Sequence, residues 1–206
     1  MADALGKFLV ELFGNPYVAV FFMSMVPLIE LKGAIPVGMT EAFGLGLLET
    51  AAVAYLGSTL ISFLVFFLLK PIFAVLKKIK IFNLIVRKCE GLFIHKAEEI
   101  AAKTNGSVES AAKKIMMISL FIFVAVPFPV TGVWTGTAVA VFLGLSFRES
   151  VLPLAVGNLI AGSLITLMTF IFKEYVDMII YCLFAIAIVM LVVTVIKIAK
   201  SKPSEE

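Results

Sequence analysis

Three long apolar runs, at residues 50–69, 150–172 and 178–199, constrain this chain more than any other feature. Each reaches the roughly 20 residues a helix needs to cross a hydrocarbon core about 30 Å thick. Lipid offers the backbone no hydrogen-bond partners, so spans of this kind must be helical. Composition agrees: 62% of the 206 residues are hydrophobic and 15% are charged, with a mean hydropathy of +1.12. Soluble domains are about a quarter charged and under half apolar. The expected fold class is an all-α integral membrane protein, one membrane domain over residues 1–206. Residues 1–13 carry Asp3 and Glu11 among apolar side chains and lack a basic segment ahead of an apolar one, so they read as a short interfacial helix and not as a cleaved signal. Cys89 lies in a charged segment and Cys182 in an apolar run, which suggests neither a disulfide framework nor a metal site.

Charge placement sets the orientation. Ten of the 17 Lys and Arg lie between residues 70 and 114, against four acids, which by the positive-inside rule makes this segment cytoplasmic. Lys197, Lys200 and Lys202 at the end of the last run put the C-terminus on the same side. The expected location is the plasma membrane, crossed several times.

Parity then forces an unusual element. If 178–199 ends inside, 150–172 crosses outward and Ser146 is inside, but so is Lys114. The intervening 115–145 must return to its own side, and its 31 residues fall short of the roughly 40 that two spans require. Pro127, Pro129, Gly132 and Gly136 break it in the middle. A re-entrant hairpin meets both constraints, with its irregular tip facing protein or a wet cavity. In the first half, 17–40 is broken at Pro27, Gly33 and Pro36, with Glu30 and Lys32 between them. It is expected to be a second hairpin, entering from outside. The alternative is a spanning helix kinked at proline.

A shift of 100 residues superposes Phe21 on Phe121, Val26 on Val126, Pro27 on Pro127, Gly44 on Gly144, Glu49 on Glu149 and Gly57 on Gly157 without a gap. With the sides exchanged, this reads as an inverted repeat, the usual build of secondary transporters that bind near the midplane. Repeat 1 covers about 17–70 and repeat 2 about 115–173. Each is a re-entrant helical hairpin plus a spanning helix, with a basic linker at 71–114 and an extra C-terminal spanning helix at 178–199.

The first tip runs from Pro27 to Pro36. Glu30 and Lys32 are its ionisable residues, and charges at that depth cost several kcal/mol unless paired or facing water. Either they neutralise each other to hold the tip, or Glu30 takes up a proton or sodium ion while Lys32 holds an anion such as phosphate. The second tip, Pro127 to Thr137, is polar through hydroxyls and freed carbonyls. Its prolines remove backbone donors, and Thr131, Thr135 and Thr137 add oxygens. Trp134 is either an interfacial anchor or a ligand-stacking ring. Gly132 and Gly136 form a pair suited to close helix packing. Asn158 is expected to bond between helices, or to line a path.

Ile29 to Pro36 (Ile-Glu-Leu-Lys-Gly-Ala-Ile-Pro) and Val126 to Gly136 (Val-Pro-Phe-Pro-Val-Thr-Gly-Val-Trp-Thr-Gly) resemble the two signatures of the small multidrug export protein family, which is similar to the DedA superfamily. The resemblance covers about residues 17–172. It implies an inverted-repeat fold with two re-entrant hairpins. It also implies translocation of lipids, including polyprenyl phosphate carriers, linked to the proton-motive force. Glu30 and Lys32 match the acidic and basic positions of the first hairpin. The second departs from the DedA pattern, which carries arginine there: no basic residue lies between Lys114 and Arg148.

The expected function is a small ion-coupled transporter or lipid translocase. Its coupling and binding residues would be Glu30, Lys32, Gly33, Pro36, Pro127, Pro129, Thr131, Gly132, Trp134, Thr135 and Asn158. Its substrate would be an anionic lipid or amphipathic molecule, its coupling ion H+ or Na+, and no other cofactor is expected. Export of cationic drugs and a non-transporting membrane scaffold are the alternatives. An intramembrane enzyme is not expected, because the membrane segments hold no histidine and no acid pair. The linker interleaves Lys77, Lys78, Lys80, Arg87 and Lys88 with apolar residues, a composition for anionic lipid surfaces and not for nucleic acid. His95 reads as solvated, and a homodimer is the expected assembly.

Overall fold

The structure, a computed structural model, describes residues 2–79, 107–128 and 131–172, with isolated positions between 83 and 102 and between 178 and 196. Pro129, Cys89, His95, much of the middle of the linker and most of the 178–199 run lie outside the described residues. What is described is helical: α1 (Ala2–Phe13), α2 (Pro16–Met25), α3 (Glu30–Gly38), α4 (Leu47–Leu76), α5 (Val108–Ala125), α6 (Val133–Phe142) and α7 (Phe147–Ile171).

Among the described residues two helices, α4 and α7, are long and apolar enough to cross a membrane, and the pair α1 and α2 becomes a third if it is counted as one bent span. Both long helices start in the same way. The Glu49 carboxylate accepts from the Gly46 N–H at 3.2 Å and the Glu149 carboxylate from the Ser146 N–H at 2.7 Å, each satisfying an orphan donor of the first turn. The turns ahead of them pass through left-handed Gly44 (φ 62°) and Gly144 (φ 73°), a conformation glycine adopts at little cost. At the crossing of α4 and α7, Asn158 Nδ2 donates to Ser58 Oγ at 3.2 Å and to Thr59 Oγ1 at 3.0 Å.

The two helices run antiparallel, since the start of α4 (Leu47, Ala51) faces the end of α7 (Thr166, Phe170) while Phe63 and Phe67 of α4 touch Phe147 at the start of α7.

Between them sit two helical hairpins. Asn15 caps α2, its Oδ1 accepting from the Tyr17 N–H at 2.8 Å, and Pro16 occupies the first helical position. The chain then folds back on itself: a Cβ on Gly38 would press on Val20 and Thr50. Likewise a Cβ on Gly136 would press on Val124 and Leu154, so α6 folds back on α5. At about 1.5 Å per residue, α2 and α3 are roughly 15 Å long, half the thickness a span needs. Gly57 lets α4 close on the Phe21 carbonyl of α2, and Gly157 lets α7 close on the Phe121 carbonyl of α5, which a Cβ at Gly157 would meet at 2.9 Å.

The hairpins approach from opposite ends. Tyr17 Oη donates to Glu49 at 3.2 Å, tying the start of α2 to the start of α4. Lys113 pairs with Glu149 at 3.5 Å, tying the start of α5 to the start of α7. Hydrogen bonding to Glu109, together with the Glu149 and Glu109 charges, holds the exposed Lys113 ammonium above its ordinary range. One apolar cluster joins α2, α3 and the start of α4, with Phe43 and Ile165. A second joins α5, α6 and the start of α7 with Phe66.

Two boundaries differ from the sequence reading. The first span runs past Leu69 and through Pro71 to Leu76, and α5 starts at Val108, seven residues before the apolar stretch. Lysine is a good helix former and does not stop a helix. Pro71 takes the donor from the Phe67 carbonyl and crowds it, yet the helix runs on to Leu76, and Ser107 Oγ caps α5 by accepting from the Ser110 N–H at 3.3 Å. The N-terminal helix is present as α1, and its segment Gly6–Phe13 is bent 108° from α2.

Candidate functional site

The first tip turns sharply. Leu28 (φ 73°) and Glu30 (φ 46°) take left-handed backbone without being glycine, a conformation that costs of order 1–3 kcal/mol and is kept only when the surroundings impose it. Here the surroundings are the buried Leu31, Ala34 and Ile35 of α3, packed on α2 and α4. The turn carries Glu30 and Lys32 into the interior, at 8% and 6% exposure. Pro36, also buried, has no N–H to give the Lys32 carbonyl, and Gly33 closes against Ile29.

Glu30 reaches the second tip. Its Oε1 accepts from the Trp134 N–H at 3.1 Å, and the Val133 N–H also points at the carboxylate. These are the first N–H groups of α6, whose N-cap is Gly132. Glycine has no side chain to cap with, so a carboxylate from 104 residues earlier takes that role, where the partial positive charge of the helix end favours an anion. A Cβ on Gly132 would collide with the Glu30 carboxylate. Only glycine leaves room for it.

Lys32 completes the junction. Its Nζ donates to the Phe128 carbonyl at 2.8 Å and stands 3.8 Å from Glu30 Oε2. Phe128 lies past the C-cap of α5, in the segment opened by Pro127. The Phe128 carbonyl also accepts from Thr131 Oγ1 at 2.9 Å, and the same hydroxyl lies 2.8 Å from the Val126 carbonyl. Thr135 Oγ1 accepts from the Gly132 N–H at 3.1 Å. Trp134 Nε1 donates to the Met25 carbonyl at the end of α2, at 3.1 Å. Trp134 thus joins the tips through two donors, its backbone N–H and its indole N–H. Among the described residues every buried side-chain nitrogen or oxygen has a partner.

Eight of the sequence-derived candidates therefore gather at one junction: Glu30, Lys32, Gly33, Pro127, Thr131, Gly132, Trp134 and Thr135. Pro36 sits one turn away in α3, and Pro129 lies outside the described residues. Asn158 belongs to a different cluster, with Ser58 and Thr59. The two tips touch directly, through Glu30, Lys32 and Trp134. The sequence reading missed the Met25 and Phe128 carbonyls and Ser58, because a backbone acceptor carries no residue signature and Ser58 lies in an ordinary apolar run.

A family model described as "Putative small multi-drug export protein" matches residues 30–164, well over half of the chain. The chain belongs to the small multi-drug export protein family. The match begins at Glu30 and ends in α7, so it takes in Glu30 and Lys32 of the first tip, the whole second tip of this family member, all of α4 and most of α7. No curated protein and no solved structure matches the chain.

Proposed function

We propose that this export-family chain is a small secondary transporter in the plasma membrane, built as an inverted repeat with two re-entrant hairpins. It moves an anionic lipid or amphipathic molecule in exchange with a proton or sodium ion, a reading that follows the resemblance to DedA-like proteins, which are associated with lipid translocation linked to the proton-motive force. The observation that carries the reading is the Glu30 carboxylate seated on the N-terminus of α6 beside buried Lys32. Ionised, Glu30 occupies the place an anionic head group would take: two backbone donors and one ammonium. Neutralised by a proton or sodium ion, it loses most of its hold on both, and Lys32 with the α6 donors can accept a phosphate or carboxylate. Ion uptake and head-group binding then alternate at a single position.

The repeat is supported by α4 and α7 starting 100 residues apart, by left-handed Gly44 and Gly144, and by the equivalent closures at Gly57 and Gly157. Short hairpins approaching from opposite ends favour re-entry over kinked spans. The family name favours drugs as cargo, and an amphipathic anion is compatible with it.

The test uses the full chain in proteoliposomes, with a fluorescent phosphate-bearing lipid and an imposed proton or sodium gradient. The parent is expected to move the lipid. The double variant Glu30→Gln with Lys32→Met removes both charges together and should fold but lose gradient-driven movement. A double variant as stable and as active as the parent would make the pair structural. A parent that moves nothing under either gradient would favour a scaffold.

A further inference from the structure

A groove of about 500 Å³ lies between α4 and α7, where α4 starts and α7 finishes. Leu47, Ala51 and Tyr55 line one wall, and Ser163, Thr166 and Leu167 the other. The hydroxyls do not make it polar. Ser163 Oγ donates to the Leu159 carbonyl at 2.9 Å and Thr166 Oγ1 to the Gly162 carbonyl at 2.7 Å, both inside α7.

The antiparallel crossing creates an equivalent position at the opposite end of the same two helices, and there the space is full. The ring of Phe147 packs against Phe63, Phe66 and Phe67, with centroids 5.5, 5.5 and 4.8 Å away. Shifted by 100 residues, Phe147 corresponds to Leu47, Phe63 to Ser163, Phe66 to Thr166 and Phe67 to Leu167. Four rings at one end are replaced at the other by four smaller side chains, and all four line the open groove. A void of this size forfeits dispersion contacts on every wall unless something fills it.

The dimensions and surroundings say what fills it. The groove follows residues 47–55 of α4 and 159–170 of α7, about 12–16 Å at 1.5 Å per residue. That is about half of a 30 Å hydrocarbon core, the depth of a single leaflet. Its rim, Leu48 and Phe170, is exposed and continuous with the apolar outer surface of the two spans. We propose that this groove is a lipid site holding one hydrocarbon chain of a membrane lipid, which takes the place of the aromatic plug at the opposite end. The proposal is independent of what the Glu30 junction does.

The full chain is reconstituted in vesicles of phosphatidylcholine that carries a photoactivatable diazirine midway along one acyl chain, irradiated, and mapped by mass spectrometry. Labelling should concentrate several-fold on Ala51, Tyr55 and Ser163 over Leu60, Leu64 and Leu152, which are exposed but outside the groove. Ser163→Phe with Thr166→Phe, which brings the rings of the opposite end here, should lose the groove labelling and keep that on Leu60 and Leu152. Even labelling of all exposed residues in the parent overturns the proposal. So does a quantitative disulfide in vesicles from Ser163→Cys to a cysteine within 178–199, or to the same position of a second copy, since either puts protein in the groove. The labelling pattern of the parent decides even if the double variant does not fold.

Discussion

Gly132 and Glu30 share one small volume, and their sizes are coupled. Gly132→Ala puts a methyl group where the carboxylate sits, so it should destabilise by about 1–3 kcal/mol, the usual cost of overpacking. Shortening the acid should return part of the loss, so Glu30→Asp with Gly132→Ala should melt above Gly132→Ala alone. Thermal melts in detergent decide this, and a Gly132→Ala protein that melts like its parent would show that the carboxylate does not sit against Gly132. The charges make a second forecast. Glu30 has the α6 donors as well as Lys32, whereas among the described residues Lys32 has besides Glu30 only the neutral Phe128 carbonyl. Removing one partner of a buried pair costs about 3–5 kcal/mol. The loss should therefore be larger for Glu30→Gln, which strands the ammonium, than for Lys32→Met, which leaves the carboxylate capping a helix. The reverse order of melting temperatures would contradict the assignment. The unusual polar residues of each tip are legible from sequence because charge and paired prolines are rare in apolar runs. Their partners are not legible, being backbone atoms brought in by folding.

Helix packing turns on a few glycines, and the structure separates those that matter. A Cβ at Gly57 would meet the Phe21 carbonyl and the Ser24 hydroxyl, and one at Gly157 the Phe121 carbonyl, whereas at Gly162 it would only touch the Leu31 methyls at 3.6 Å. Gly57→Ala and Gly157→Ala should each cost about 1–3 kcal/mol, because backbone cannot yield as a side chain can. Gly162→Ala should be neutral or slightly stabilising, since it only restricts the unfolded chain. Equal melting temperatures for all three would sink this reading. The sequence marks Gly57 and Gly157 through the 100-residue shift alone, without saying what each approaches. It also places the cores of the two long helices, because length and hydropathy are properties of the chain itself. It does not place their ends: α4 continues past Leu69 in spite of Pro71, and α5 starts early on the strength of a serine cap.

The whole molecule makes a topological forecast. The Lys113–Glu149 pair holds the start of α5 and the start of α7 at one end of the bundle, and the antiparallel α4 starts at the other. Cysteines at Ser107 and Ser146 should label from the same face of the membrane, and one at Glu41 from the opposite face. Labelling of 107 and 146 from different faces would remove the second hairpin. The junction of the tips also bears on how the chain is made. Glu30 leaves the ribosome 104 residues before Trp134, which at 5–20 residues per second is a delay of roughly 5–20 s. For that interval the first tip carries a carboxylate and an ammonium whose remaining partners do not yet exist. The polar contacts of the first tip are therefore completed from downstream: until residues 128–134 are made, Glu30 and Lys32 lack the Trp134 and Phe128 partners they have in the fold.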